Sequence, residues 1–193
     1  MSTSVKIAAF SGSSRAGSFN ARLLEQAAAA ARAAGAEVTI VDLRALDMPI
    51  YDGDLEAASG LPAGALAFKK ILRESDGFLI ASPEHNSSYS ALLKNAIDWA
   101  SRANKDEPQA SVFAGKYAGI LAASPGALGG LRGLFALREL LQNLGITVQA
   151  QMQGVGQAMG AFNDDGTLKD EKTAAGVAAV ATSLVNTLKK LKA

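Results

Sequence analysis

The chain has 193 residues, of which 49% are hydrophobic and 19% charged, and its formal net charge is +1. This length favours a single domain spanning residues 1–193, and the near-neutral charge does not predict binding to nucleic acid. The chain has 0 Cys and 1 His, which excludes disulfides, thiol catalysis and cysteine-rich or histidine-rich metal sites. Redox chemistry would therefore need a reactive group that the amino acids do not supply.

The amino-terminal residues do not resemble an export signal. Only the four apolar residues 7–10 follow Lys6, which is shorter than the apolar core of a signal peptide. No run of about 18 apolar residues predicts a membrane span. We expect a cytoplasmic protein that does not act at a membrane.

The hydrophobic pattern alternates between short apolar runs and amphipathic stretches. The apolar runs predict five strands, at residues 5–10, 37–42, 76–81, 116–123 and 146–151. The amphipathic stretches predict five helices, at residues 18–35, 62–74, about 92–102, 131–144 and 170–192. Between the second strand and the second helix, residues 43–60 contain Pro49 and an Asp-Gly-Asp turn and predict an irregular surface connection.

This alternation predicts the fold class. The strands are continuous apolar runs, as expected when helices cover both faces of a parallel sheet. Five strands in a domain of this length favour an α/β, flavodoxin-like three-layer sandwich, with a five-stranded parallel sheet in the order 2-1-3-4-5.

Three polar or glycine-rich loops follow strands that this order makes neighbours. They are residues 11–18 after strand 1, residues 83–88 after strand 3, and residues 124–130 after strand 4. Ligands of open α/β sheets bind at the carboxyl ends of the strands, near the point where the strand order reverses. The sequence therefore predicts a ligand site where the three loops meet.

The first loop has the composition of a phosphate-binding loop. Its small residues let backbone N–H groups approach an anion, Arg15 adds positive charge, and a helix amino terminus follows. Gly12 and Gly17 have the spacing of a nucleoside-triphosphate loop, but Ser18 stands where that motif has lysine. From these residues alone, an ordinary turn capped by a serine remains the alternative.

The second and third loops suit a flat ligand. Asn86 offers donors and acceptors for the edge of a heteroaromatic ring, and three glycines let residues 124–130 approach a ligand closely. Glu84 has no obvious carboxylate partner for acid–base catalysis. His85 lacks the second histidine or cysteine of a metal site, and an ordinary polar loop residue is the alternative for it.

Two further patterns do not predict a site. Residues 154–160, Gly-Val-Gly-Gln-Ala-Met-Gly, resemble a dinucleotide-binding fingerprint, but the spacing differs and a turn-rich segment follows instead of a helix. Ser11, Ser13 and His85 do not indicate a hydrolase, because the chain has no nucleophile-elbow sequence of the Gly-x-Ser-x-Gly type.

The loops resemble those of the NAD(P)H-dependent FMN reductases of flavodoxin-like fold, a family that includes bacterial quinone, chromate and azo-compound reductases. Residues 12–20, Gly-Ser-Ser-Arg-Ala-Gly-Ser-Phe-Asn, are similar to the family's phosphate loop, Gly-Ser-x-Arg-x-x-Ser-x-Asn. Residues 83–88 and 93–99 are similar to its Pro-Glu-Tyr-Asn loop and following helix. Residues 124–132 also fit its third loop, and the resemblance extends over about residues 6–145.

The resemblance implies bound FMN, with NADPH or NADH as co-substrate and a quinone, azo compound, metal oxyanion or free flavin as acceptor. It implies a ping-pong order in which no side chain acts as acid or base. It implies a homodimer or homotetramer, with Tyr89 and Trp99 as candidates for the subunit contact and an ordinary core or surface aromatic as the equal alternative for each. The cofactor-binding residues that it implies are Ser13, Ser14, Arg15, Ser18, Phe19, Asn20, Pro83, Glu84, His85, Asn86, Ser124 and Gly126.

One residue departs from the family pattern. His85 stands where the family usually has tyrosine, and a histidine is smaller and can carry charge near neutral pH. We hypothesise that His85 lies beside the flavin and tunes substrate choice or pH dependence. Two other functions remain compatible with the residues: an FMN-binding electron carrier or redox sensor without turnover, and a phosphate-ester-binding protein without flavin.

Overall fold

The computed structural model describes residues 4–104 and 107–193. The strands are β1 (Val5–Ser11), β2 (Ala36–Val41), β3 (Gly77–Ala81), β4 (Tyr117–Ala123), β5 (Thr147–Val148) and β6 (Gln153–Val155). The helices are α1 (Phe19–Ala33), α2 (Gly53–Ser59), α3 (Ala63–Glu74), α4 (Ala91–Ser101), α5 (Leu131–Asn143) and α6 (Glu171–Lys192).

The strands form one parallel sheet in the order β2-β1-β3-β4-β5, and β6 also pairs with β4. The predicted fold class and strand order are therefore confirmed. Ser11 is in register with Ala81, and Ala81 with Leu121. The carboxyl ends of β1, β3 and β4 consequently lie side by side, which brings the three predicted loops to one edge of the sheet.

Helices cover both faces of the sheet. Alternate residues of β1 point to opposite faces, so that Ile7 and Ala9 pack with α1 and α6, whereas Ala8 and Phe10 pack with α3, α4 and α5. The Phe10 ring meets the Phe68 ring edge-on, with centroids 5.3 Å apart. Burial on both faces explains why the strands are continuous apolar runs rather than alternating ones.

The prediction of an irregular connection over residues 43–60 was wrong in part, because the segment contains α2. Asp52 caps this helix by accepting hydrogen bonds from the backbone N–H groups of Asp54 and Leu55. The helix has 7 residues, fewer than the window in which helical periodicity can be recognised. Contacts distant in sequence also hold the segment, since the Asn95 side chain accepts from Tyr51 N–H and donates to Pro49 C=O.

The predicted strand at residues 146–151 is reduced to two residues, and β6 was not predicted. Gln149 N–H still donates to Ala118 C=O of β4 at 2.8 Å, and the chain then leaves β4. The Arg138 guanidinium donates to the carbonyls of Gln149 and Ala150 at distances of 2.9 and 3.1 Å. The chain then returns to β4 as β6, pairing Val155 with Ala123. Because β6 lies beside the end of β4, it supports the loop that follows β4.

The predicted helix ends are confirmed where capping residues marked them. Ser18 Oγ accepts from Ala21 N–H at the start of α1, and Asp170 Oδ1 accepts from Thr173 N–H at the start of α6. Gly35 follows α1 with a φ of 89°, a left-handed conformation that glycine adopts without strain. Within the described part of the chain, no helix combines the length and hydropathy needed to span a bilayer.

Trp99 does not have the role suggested for it in a subunit contact. Its side chain is fully buried, and its Nε1 donates to the carbonyl of Pro49 at 2.7 Å. It therefore packs the segment before α2 onto α4. Tyr89 is partly buried against the core on the same face of the sheet.

Candidate functional site

A cavity of about 640 Å³, here called cavity 1, opens at the carboxyl ends of β1, β3 and β4. This volume lies in the range of small-molecule and cofactor sites. Its lining includes ten of the twelve predicted site residues: Ser13, Ser14, Arg15, Ser18, Phe19, Asn20, Pro83, Glu84, His85 and Ser124. Asn86 and Gly126, the other two, are not among the residues that line it.

Loop 1, residues 11–18, contributes the polar end of cavity 1. Its last residue, Ser18, caps α1, so that the amino terminus of a 15-residue helix begins at the wall of the cavity. The exposed Arg15 guanidinium lies 4.9 Å from the centroid of the Phe19 ring. A helix amino terminus, serine hydroxyls and an arginine form a donor set suited to a phosphate group.

Loop 2, residues 82–88, presents His85 through a tight turn. His85 and Ser88 exchange two backbone hydrogen bonds of 2.9 and 3.0 Å. The central residues Asn86 and Ser87 have φ values of 51° and 66°, the left-handed pair found in two-residue hairpin turns of type I′. His85 thus lies at the exposed mouth of cavity 1, and Asn86 occupies the tip of the turn instead of its wall.

The Glu84 carboxylate joins loop 2 to α5. Its side chain is 8% exposed. Its Oε1 lies 2.8 Å from Nε and 2.6 Å from Nη2 of Arg132, and both nitrogens donate to it. Its Oε2 accepts from Gly133 N–H at 3.1 Å. Gly130 begins α5 without a capping side chain, so Glu84 acts as the cap from a neighbouring loop.

Burial and hydrogen bonding act in opposite directions on the Glu84 pKa. Burial raises it, but the hydrogen bonds from Gly133 N–H and the Arg132 guanidinium outweigh burial, and the pKa is lowered from its usual value. A β-carbon added at Gly133 would lie 3.3 Å from both Cβ and Cγ of Glu84. The glycine therefore lets the carboxylate reach the first turn of α5.

Loop 3, residues 124–130, rests on the glycine-rich segment 154–160. Ser124 N–H donates to Val155 C=O at 3.0 Å, and Gln157 N–H donates to Gly126 C=O at 3.2 Å. A β-carbon added at Gly156 would lie 2.5 Å from the Ala127 carbonyl oxygen. Gly154 and Gly156 thus permit close backbone packing against loop 3, and Gly126 takes part in that packing.

Two buried polar side chains connect the loops further. The Asn20 amide donates to Ala123 C=O at 2.9 Å and accepts from Ala123 N–H at 2.8 Å, which joins α1 to the end of β4. Ser90, which caps α4, donates from Oγ to Gly12 C=O at 2.5 Å. The geometry therefore gives Asn20 a bracing role besides its place in the lining of cavity 1.

Seven lining residues were not predicted as site residues. Ser90 had a recognisable signal, because a serine directly precedes the amphipathic stretch of α4. Met159 had none, since it reaches cavity 1 only through the packing of loop 3 on residues 154–160. The seven residues are Gly12, Ser90, Ala91, Leu92, Ala123, Pro125 and Met159.

The lining of cavity 1 fits FMN. The Arg15 and Ser18 end offers donors for the cofactor's phosphate, whereas Pro83, Leu92 and Pro125 provide apolar surface for a flat ring system. No group of three or more His, Asp or Glu residues able to hold a metal ion occurs within residues 4–104 and 107–193. The donor chemistry of the cavity thus matches an organic phosphate with an aromatic part.

Comparison with known proteins agrees with this geometry. Residues 5–159 match the family model described as NADPH-dependent FMN reductase. The chain belongs to this family. Its resemblance to the FMN reductases, and with it the expectation of an FMN-dependent oxidoreductase that uses NAD(P)H, is confirmed at the level of the family.

Individual relatives of this FMN reductase family member cover most of its length. It is 36% identical over 173 residues to the NAD(P)H-dependent FMN reductase PA1204 of Pseudomonas aeruginosa, covering 89% of each chain. It is 37% identical over 159 residues to a quinone reductase of Escherichia coli K12, covering 81% of this chain and 79% of the relative. Among solved structures, FerB, a flavoenzyme NAD(P)H:(acceptor) oxidoreductase from Paracoccus denitrificans, is 29% identical, with a TM-score of 0.80 and coverage of 96% and 98%.

Proposed function

We propose that the chain transfers electrons from NADPH or NADH to a small-molecule acceptor, with FMN held in cavity 1. The acceptor is a quinone, azo compound, metal oxyanion or free flavin, and the two substrates react in ping-pong order. The observation that carries this proposal is that one cavity combines a phosphate-type donor set with apolar surface for a flat ring. When bound, FMN supplies the redox chemistry by taking up hydride from NAD(P)H and passing electrons to the acceptor.

The side chains bind and orient rather than transfer protons. Arg15 and Ser18, together with the Ser13 and Ser14 hydroxyls, would hold the phosphate. Glu84 fixes loop 2 against α5 and thereby sets the position of the ring-facing wall. An enzyme of this kind contributes position and electrostatics, and needs no acid or base from the chain.

We further propose that the protein works in the cytoplasm as a homodimer or homotetramer. Three large apolar side chains around the start of α5 are exposed, namely Leu128 at 57%, Leu131 at 39% and Phe135 at 57%. Exposed apolar clusters of this kind are typical of association surfaces. Analytical ultracentrifugation of the FMN-loaded protein tests this, and a monomer at micromolar concentration would contradict it.

Anaerobic stopped-flow spectroscopy tests the main proposal. FMN-loaded protein is mixed with NADPH or NADH, and the flavin absorbance is expected to bleach. It is expected to return on a second mixing with quinone, azo dye, chromate or free flavin. A protein that takes up no FMN contradicts the proposal, and one that is reduced but turns over with no acceptor is a carrier or sensor instead.

Replacing Arg15 with alanine is expected to weaken FMN binding about tenfold or more, because a charge-assisted hydrogen bond to phosphate is lost. Titration of apoprotein with FMN, followed by quenching of flavin fluorescence, measures this change. Riboflavin has no phosphate, so its affinity should not change. Arg22→Ala is the matched control, since this arginine is exposed one turn into α1 and does not line cavity 1. Equal weakening of FMN and riboflavin would contradict a phosphate-binding role.

We also propose that His85, at the mouth of cavity 1, tunes substrate choice or pH dependence. His85→Tyr restores the residue usual in the family and is expected to change the ranking of acceptors or the pH–rate profile. Steady-state rates with the four acceptor classes across neutral pH measure both. Unchanged rankings and an unchanged profile would contradict this role.

A further inference from the structure

A second cavity of about 500 Å³, here called cavity 2, adjoins cavity 1. Pro125 and Met159 line both cavities and form the ridge between them. Met159 is 81% exposed, so the boundary between the two cavities carries an apolar and flexible side chain. The rest of cavity 2 is formed by the chain after β6 and by the start of α6.

The lining of cavity 2 can accept a nucleotide. Lys169 contributes a cation and Gln157 an amide, and Gly160 leaves backbone accessible. Asp170 Oδ1 is engaged, because it accepts from Thr173 N–H at 2.7 Å and Thr173 Oγ1 at 2.6 Å. A ribose hydroxyl would therefore donate to Oδ2, while a phosphate would bind on the Lys169 side, away from this carboxylate.

The co-substrate NAD(P)H requires a binding surface next to cavity 1 as well as in it. NAD(P)H is a dinucleotide, and only its nicotinamide end has to meet the ring in cavity 1. Its adenosine diphosphate part must then lie outside cavity 1, beyond one of its rims. Cavity 2 lies across loop 3 and shares with cavity 1 Pro125, which is part of the apolar surface of cavity 1, whereas none of the phosphate donors of loop 1 lines it.

A smaller cavity of about 320 Å³ behind loop 1 is the competing position, with Arg15 and Arg44 in its lining. Arg44 is already engaged, since its Nη1 donates to Ser14 C=O at 3.2 Å. That cavity also adjoins the phosphate end of cavity 1 instead of the ring end. The geometry consequently favours cavity 2.

We propose that cavity 2 binds the adenosine diphosphate part of NAD(P)H, with Lys169 contacting one of its phosphates. This inference rests on the proposed function, in which the nicotinamide end reaches the ring in cavity 1. It does not require residues 154–160 to be a dinucleotide-binding fingerprint. Gly154 and Gly156 pack against loop 3, and the binding groups come from Lys169 and the residues around it.

Binding of redox-inactive nucleotides to FMN-loaded protein tests the site apart from activity. The probes are ADP, which has the pyrophosphate, and adenosine 2′,5′-bisphosphate, which has the 2′-phosphate of NADPH but no pyrophosphate. By isothermal titration calorimetry, Lys169→Gln is expected to weaken binding about tenfold, the loss of one charge-assisted contact. Weaker binding of ADP assigns Lys169 to the pyrophosphate, and weaker binding of the bisphosphate alone assigns it to the 2′-phosphate.

The matched control is Lys172→Gln, which makes the same charge change at an exposed residue of α6 that does not line cavity 2. The control should leave both affinities unchanged. If the native protein binds neither probe, or if Lys169→Gln binds both as tightly as the native protein does, the proposal is overturned. Neither result depends on whether the enzyme turns over.

A second variant fills cavity 2. A β-carbon at Gly160 would meet nothing closer than an oxygen 4.0 Å away, so Gly160→Trp can enter without strain. It is expected to raise the KM for NAD(P)H about tenfold or more while leaving FMN affinity and the KM for the acceptor unchanged. Arg44→Gln tests the competing cavity behind loop 1, which Arg44 lines. The proposal fails if Arg44→Gln raises the KM for NAD(P)H and Gly160→Trp does not. A protein without any NAD(P)H oxidation would instead count against the proposed function.

Discussion

Replacing Gly156 with alanine is expected to destabilise the protein by about 3 kcal/mol and to weaken FMN binding. The added carbon would lie 2.5 Å from the Ala127 carbonyl oxygen and 3.2 Å from that of Gly126. Backbone atoms cannot yield as a flexible side chain can, so loop 3 must move away from β6. Ser124 and Pro125 would then shift at the wall of cavity 1. Urea unfolding and FMN titration measure the two effects.

Gly160→Ala is the matched control for this prediction. It makes the same substitution in the same glycine-rich segment, and neither glycine has a left-handed backbone. Because space is open around Gly160, its stability should change by less than about 0.5 kcal/mol. Equal stability of the two variants would show that close packing of loop 3 does not require Gly156.

Replacing Glu84 with alanine is expected to lower the free energy of unfolding by about 2 kcal/mol near neutral pH. The change leaves Gly133 N–H without its acceptor and removes the carboxylate from the start of α5. Loop 2 also loses its attachment, so FMN affinity should fall about tenfold. Chemical denaturation and flavin titration measure both changes. The exposed Glu139 on α5 provides the control, since Glu139→Ala should alter neither quantity appreciably.

The pH dependence of this contribution has a definite sign. The folded protein lowers the pKa of Glu84, so the carboxylate stabilises the fold at pH values above its ordinary pKa of about 4.3. That stabilisation is lost as the pH falls through the lowered folded pKa. Glu84→Gln lacks the ionisation, and the stability difference between native protein and variant should therefore shrink below about pH 4. A difference that stays constant across this range would contradict the role of the charge.

The fold was predictable because the hydrophobic pattern and the capping residues of most segments indicated the same strands and helices that the structure contains. Continuous apolar strands indicated a sheet covered on both faces, and Ser18 and Asp170 marked helix starts before any contact was known. The failures have one cause. The seven residues of α2 and the three of β6 are too short to show periodicity. Contacts distant in sequence position both elements, since Asn95 binds the segment before α2 and β4 pairs with β6.

The position of cavity 1 was predictable from the sequence, but the contacts that connect the elements around it were not. Motif spacing placed Arg15, Ser18 and His85 at one edge of the sheet, where the structure has them. No local pattern shows that Glu84 caps a helix 49 residues away, or that Asn20 binds the backbone of Ala123. Such pairings depend on the packed sheet, and a single sequence does not reveal them.

Buried polar side chains connect the elements that carry the three loops. Asn20 joins the start of α1 to the end of β4, Ser90 joins the start of α4 to Gly12 of loop 1, and Glu84 joins loop 2 to the start of α5. These hydrogen bonds restrain the first two loops and the elements at both ends of the third. The entropy of ordering the site is therefore lost when the chain folds and not when the cofactor arrives. We therefore expect FMN to bind and dissociate without refolding of the loops around cavity 1.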